Sequence, residues 1–216
     1  VGVVAGTLTP DSRNVVNYSS APAATKVDLR AGTANDGFGG TDTLANINWV
    51  IGSKFNDELT GSDLALDERF EGAAGADRID GRGGSDTVSY QTAAVLGVTV
   101  NLTEGVATDW SGATDKLTSI EHVIGTGFDD ALTGDASGNS LWGLGGNDVL
   151  VGLAGDDSFT GGDGNDQLDG GAGIDSANFA LRREDYLVSK TSTGFTISAK
   201  SGGEGVDRLT QIDSVV

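Results

Sequence analysis

Apolar residues recur every nine positions through the second half of the chain, at Leu132, Leu141, Leu150, Phe159, Leu168 and Ala177. They occupy position eight of six consecutive units that each open with glycine: GTGFDDALT, GDASGNSLW, GLGGNDVLV, GLAGDDSFT, GGDGNDQLD and GGAGIDSAN, from Gly125 to Asn178. Residues seven to nine of a unit predict a short strand whose central side chain points inward, because side chains alternate faces along a strand. The glycine-rich stretch before it predicts a tight turn. Two units then complete one coil, with a turn at each end. The inward side chains are expected to stack one coil apart, as Leu132–Leu150–Leu168 and Leu141–Phe159–Ala177. The fold class is therefore all-β, a parallel β-roll or β-solenoid.

An earlier block repeats the pattern. Gly52 begins GSKFNDELT, Gly72 begins GAAGADRID, and GRGGSDTVS follows directly, with Leu59, Ile79 and Val88 as the inward residues. Between them lies an eleven-residue unit, GSDLALDERFE, in which Phe70 is expected to take the inward place and either Asp67 or Glu68 the acidic one. The segments around the blocks are themselves related. Asp42, Ile47, Val50 and Gly52 correspond to Asp115, Ile120, Val123 and Gly125, and Asp207, Ile212 and Val215 stand in the same relative places. Runs such as Val98–Leu102 and Phe195–Ser198 alternate apolar and polar residues and read as strands. These connectors are expected to be irregular β-helical coils stacked on the rolls, as solenoids need covered ends. The organisation predicted is a β-rich connector over 1–51, a short roll over 52–89, a connector over 90–124, a long roll over 125–178, and a closing β segment over 179–216.

Position six of the units is acidic or amide: Asp57, Asp77 and Asp86 in the first block, and Asp130, Asn139, Asp148, Asp157, Asp166 and Asp175 in the second. Glycines at positions one, two and four are expected to let the backbone pass through positive φ and bring its carbonyls close together. A carboxylate beside converging carbonyls suits calcium, which takes six to eight hard oxygens.

The spacing G-G-x-G-x-D-x-U-x resembles the RTX (repeats-in-toxin) family of hemolysin-type calcium-binding repeats, whose members leave bacteria by type I secretion. The resemblance implies that an ion sits between units n and n+2. Asp130, Asp148 and Asp166 would line one edge, and Asn139, Asp157 and Asp175 the other. It implies that the glycines Gly143, Gly146, Gly152, Gly155, Gly161, Gly164, Gly170 and Gly173 contribute to the sites through their backbone. One ion for each n, n+2 pair gives four for the long block and two for the short one. About six calcium ions are expected on that pairing. The connector pairs Asp36 with Asp42 and Asp109 with Asp115 are candidates for further ions, against an equal reading as solvated turn aspartates.

Composition narrows the function. Thirty-two acidic against thirteen basic residues give a formal charge of −19, the wrong sign for nucleic acid. There is no cysteine, so no disulfide framework, and no apolar run of transmembrane length. His122 is the sole histidine, which excludes a zinc HExxH helix, and it reads as a packing residue. No GK[ST] follows the glycine-rich stretches, so phosphate loops are excluded as well. Trp142, at position nine, should face outward, where an indole either covers a connector or stacks on a sugar; Trp49 and Trp110 read as packing residues. A start at Val1 and the absence of methionine lead to the expectation that the chain is part of a larger protein.

The function expected is a non-catalytic calcium-binding module of a secreted, extracellular or cell-surface protein. Such a module would fold on Ca2+ binding outside the cell and stabilise or space its parent. The alternative is the C-terminal roll of a secreted polysaccharide-, lipid- or protein-degrading enzyme, assisting substrate binding. Partners expected are calcium, the type I secretion machinery during export and, on the alternative, a polysaccharide.

Overall fold

A computed structural model describes residues 4–5, 14–92, 94–200 and 205–216. The chain forms two compact units, one from residues 1–93 with 105–120 and one from 94–104 with 121–216.

In the first unit the chain alternates between two parallel ladders of short strands. One runs Val15–Asn17, Trp49–Ile51, Arg69–Glu71 and Thr87–Ser89 in spatial order. The other runs Lys26–Asp28, Glu58–Thr60, Arg78–Asp80 and Thr114–Thr118. Their middle residues stack in register as Val16–Val50–Phe70–Val88 and Val27–Leu59–Ile79–Leu117, so Phe70 takes the inward place expected of it.

The second unit repeats the plan. One ladder joins His122–Ile124, Ser140–Gly145, Ser158–Asp163, Ser176–Ala177 and Ser214–Val215. The other joins Thr99–Asn101, Ala131–Thr133, Val149–Val151, Gln167–Asp169 and Val206–Thr210. Leu132 pairs with Leu150 and Leu150 with Leu168, while Leu141 pairs with Phe159 and Phe159 with Ala177. None of these six is more than 2 % exposed. The core is thus two columns of single side chains. Little apolar area supports each coil.

The connectors differ from the irregular coils expected. In each, the chain leaves the parallel ladder and returns through antiparallel strands. Lys26–Asp28 pairs antiparallel with Thr33–Asn35, which pairs antiparallel with Thr41–Ala45. Val106–Thr108 pairs so with Thr114–Thr118, and Tyr186–Lys190, Gly194–Ala199 and Val206–Thr210 form a meander. The reversal is local chemistry. Asp28 Oδ1 accepts the N–H of Ala31 at 2.8 Å, and Gly32 follows at φ +66°. An Asx-type turn with a left-handed glycine folds the strand back on itself. Asn101 Oδ1 accepts the Glu104 N–H at 3.0 Å in the corresponding turn of the second connector. Among the described residues no helix is long and apolar enough to cross a membrane.

Candidate metal centre

The position-six side chains form hydrogen-bonded ladders along the coil edges. Asp148 Oδ1 accepts the backbone N–H of Asp130 at 2.8 Å, Asp166 Oδ1 that of Asp148 at 2.9 Å, and Asp207 Oδ1 that of Asp166 at 2.9 Å. On the other edge Asp157 Oδ1 accepts from Asn139 at 2.7 Å, Asp175 Oδ1 from Asp157 at 2.9 Å, and Asp213 Oδ2 from Asp175 at 2.9 Å. The first unit carries the same ladders. Asp77 accepts from Asp57, Asp115 from Asp77, and Asp86 from Glu68. Each carboxylate therefore holds the backbone of the preceding coil with one oxygen.

The eleven-residue unit resolves to Glu68. It is 2 % exposed, its carboxylate accepts the Ser62 N–H at 2.8 Å, and Asp67 is exposed. Asp115, Asp207 and Asp213 are rungs that the sequence reading did not single out as ends of the ladders. Asp115 and Asp207 could have been found from their matching places in the connector repeats.

The glycines divide by position. At position four, Gly146, Gly155, Gly164 and Gly173 have φ of +112°, +106°, +132° and +154°, as expected. At position one, Gly143, Gly152, Gly161 and Gly170 do not have positive φ, so that part of the expectation is corrected. Their reason is space. A Cβ built on Gly143 would collide with Asp148 Oδ2 and lie 2.7 Å from the Gly161 carbonyl oxygen. The second carboxylate oxygen and a carbonyl from the next coil thus meet in the cradle that a side chain would fill.

That second oxygen distinguishes two kinds of turn. Asp77, Asp86, Asp148, Asp157, Asp166 and Asp175 each bury an Oδ2 with no hydrogen-bond partner. In each of these turns the position-two residue is left-handed: Ala73 (φ +74°), Arg82 (+69°), Leu144 (+81°), Leu153 (+79°), Gly162 (+107°) and Gly171 (+92°). The first turns of the blocks differ. Ser53 donates its N–H to Asp57 Oδ2 and its hydroxyl to Asp57 Oδ1, where the Thr25 N–H and hydroxyl also bind. Thr126 does the same for Asp130, through its N–H at 2.6 Å and its hydroxyl at 2.9 Å. The Ser62 N–H binds Glu68, and the Asp135 N–H binds Asn139 Oδ1 at 2.7 Å. None of these four position-two residues has positive φ. Asn139 is suited to its place as an amide, because its Nδ2 also donates to the Glu121 carbonyl at 3.0 Å.

The open carboxylates are electrostatically costly. Burial pushes the Asp77 carboxyl up to about 8, with the Asp115 and Asp57 charges adding to the effect. Burial likewise raises Asp148 to about 7, helped by Asp130 and Asp166, and Asp157 to about 6, helped by Asp175. Asp166 and Asp175 move in the same direction for the same first cause. Buried carboxylates with an unpartnered oxygen call for a counter-charge.

The donor set fits calcium. Among the described residues no three acidic, histidine or cysteine side chains converge as a cluster. What the turns offer instead is one carboxylate with backbone carbonyls, an all-oxygen set that suits a hard, flexible-shelled cation and lacks the nitrogen and sulfur that zinc prefers. The connector aspartates are differently engaged. Asp36 Oδ1 accepts the N–H groups of Phe38 and Gly40, Asp109 Oδ1 those of Ser111 and Ala113, and the Tyr18 and Tyr90 hydroxyls donate to Asp42 and Asp115 at 3.0 and 3.1 Å. His122 packs in place: its Nδ1 accepts the Ser140 N–H at 3.1 Å and its ring meets the half-buried Trp142 edge-on at 6.1 Å. Trp49 lies under the Arg69 guanidinium at 4.5 Å.

A sequence profile described as the RTX calcium-binding nonapeptide repeat matches the chain in four copies, over residues 65–90, 124–158 and 142–177. No protein of curated function matches it.

Proposed function

Because the chain carries RTX calcium-binding nonapeptide repeats, we propose that it is the calcium-dependent folding module of a larger secreted bacterial protein, which it stabilises or spaces once outside the cell. The observation that carries this reading is the set of six buried carboxylate oxygens without a partner, each beside a glycine-rich turn. Asp77, Asp86, Asp148, Asp157, Asp166 and Asp175 would each hold an ion, in agreement with one ion for each n, n+2 pair. Backbone carbonyls of the position-one and position-four glycines would complete the shells. Bound calcium supplies positive charge to carboxylates that otherwise repel one another.

The chain's own residues supply the remainder: Oδ1 anchors the preceding coil, and the left-handed turns keep Oδ2 clear of backbone donors. Since each coil has one inward side chain per strand, ion binding and folding are a single process. Extracellular calcium modules bind at roughly 10⁻⁴–10⁻³ M, so such a chain stays unfolded in the cytosol and passes type I export machinery as an extended chain. Equilibrium dialysis at millimolar calcium, paired with circular dichroism before and after EGTA, tests the reading. About six ions and loss of the β spectrum on chelation are expected. A chain that binds no calcium and keeps its spectrum would overturn it.

A further inference from the structure

We infer that the residue at position two of each unit decides whether its turn takes an ion, and that protein hydroxyls and N–H groups close the ion rows where they begin. The inference rests on the calcium reading above and deepens it.

All ten turns share a position-one glycine beside a position-six side chain, yet only six leave a carboxylate oxygen bare. The split follows one backbone dihedral. Where position two is left-handed, its N–H is absent from the carboxylate. Where it is Ser53, Ser62, Thr126 or Asp135, the N–H donates to the oxygen that faces the position-one glycine. An oxygen already holding a short backbone hydrogen bond is a poor ligand, since binding a cation there sets the donor against like charge. In three of the closed turns the side-chain hydroxyl also binds the carboxylate. The four closed turns are the first turn on each edge of each block, where each row begins. Ser53, Ser62 and Thr126, and Asp135 through its N–H, therefore finish those turns without metal.

A second observation points the same way at the far end of the first unit's row. Asp115 is the last rung there, and the buried Tyr90 hydroxyl donates to its second oxygen at 3.1 Å. A hydroxyl again stands where the open turns have none.

The test counts ions in the full chain by equilibrium dialysis against millimolar calcium, for wild type and three variants. Leu153→Thr brings a β-branched residue that disfavours positive φ and supplies a hydroxyl, so it should close the Asp157 turn and lose one ion. Leu153→Gly keeps the turn open and should retain the wild-type number. Thr126→Gly frees Asp130 and should gain one. A wild-type count in Leu153→Thr, with the calcium-induced β spectrum intact, overturns the inference. If Leu153→Thr does not fold in calcium, Thr126→Gly decides, and an unchanged count overturns it. Failure of the calcium reading would appear separately, as a wild-type chain that binds no ion.

Discussion

The turn from Gly125 to Asp130 and the turn one coil later, from Gly143 to Asp148, share the glycine–aspartate frame, and the strands that follow them pair in register. In the first, Thr126 saturates the carboxylate; in the second, Leu144 sits at φ +81° and leaves one oxygen bare. The first block repeats the contrast between Ser53 and Ala73. Two positions that a repeat consensus treats as equivalent thus do different physical jobs. The residue that separates them lies at position two, where the consensus has glycine and this chain has threonine or leucine.

Chelation should produce the widest separation. With EGTA at neutral pH the open turns lose the charge that offsets six buried carboxylates, and hydrogen exchange should become fast over 143–178. Protection that survives chelation across both blocks would remove the distinction between the two kinds of turn.

Substitution at single rungs comes next. Asp148→Ala leaves the buried Asp130 N–H without an acceptor, a cost of about 1–3 kcal/mol, and should also lose one calcium ion. Asp57→Ala removes the acceptor of four hydrogen bonds and should destabilise by a comparable amount, yet keep the ion count. Urea titration in calcium gives the first quantity and dialysis the second.

pH sharpens the contrast in the metal-free chain. An unfolded aspartate titrates near about 3.9, whereas burial holds Asp157 at about 6, Asp148 at about 7 and Asp77 at about 8. Across that window the folded chain retains protons that the unfolded chain has released. The stabilisation is complete below the unfolded value and is lost as pH rises through the folded ones. Chelated protein should therefore show more β structure at pH 4.5 than at pH 8 by circular dichroism. Calcium-loaded protein should show the opposite trend, because protons compete with the ion for the same oxygens.

The smallest effect is expected at the left-handed leucines. Leu144 and Leu153 are 40 % and 42 % exposed, so Leu144→Gly gives up little burial while relieving a disfavoured backbone region. A gain of up to about 1 kcal/mol in calcium, with the ion count unchanged, is the outcome to seek by thermal melting.

Much of this architecture could be read from residues alone. The nine-residue period fixed the strand centres, and the stacks of Leu132 with Leu150 and Leu141 with Phe159 follow from it. Other features were hidden for identifiable reasons. Alternation in the connectors signals strands but carries no direction, so the antiparallel returns depended on turns such as Asp28–Gly32. The choice of Glu68 over Asp67 required the geometry, since an eleven-residue unit has no fixed register. The role of position two was invisible because serine, threonine, alanine and leucine there look like free variation. The Tyr18–Asp42 and Tyr90–Asp115 pairs recur one connector apart, a regularity that could have revealed them.

The ladders have a direction. The N–H groups of Asp57 and Asp77 in one unit, and of Asp130, Asn139, Asp148, Asp157, Asp166 and Asp175 in the other, are each received by a carboxylate lying later in the chain, ending at Asp115 and at Asp207 and Asp213 respectively. A polypeptide delivered tail first would always present the receiving group before the giving one arrives, whereas one delivered head first would leave each new winding waiting on chain still to come. The order of fastening is written into which end of each contact carries the acid.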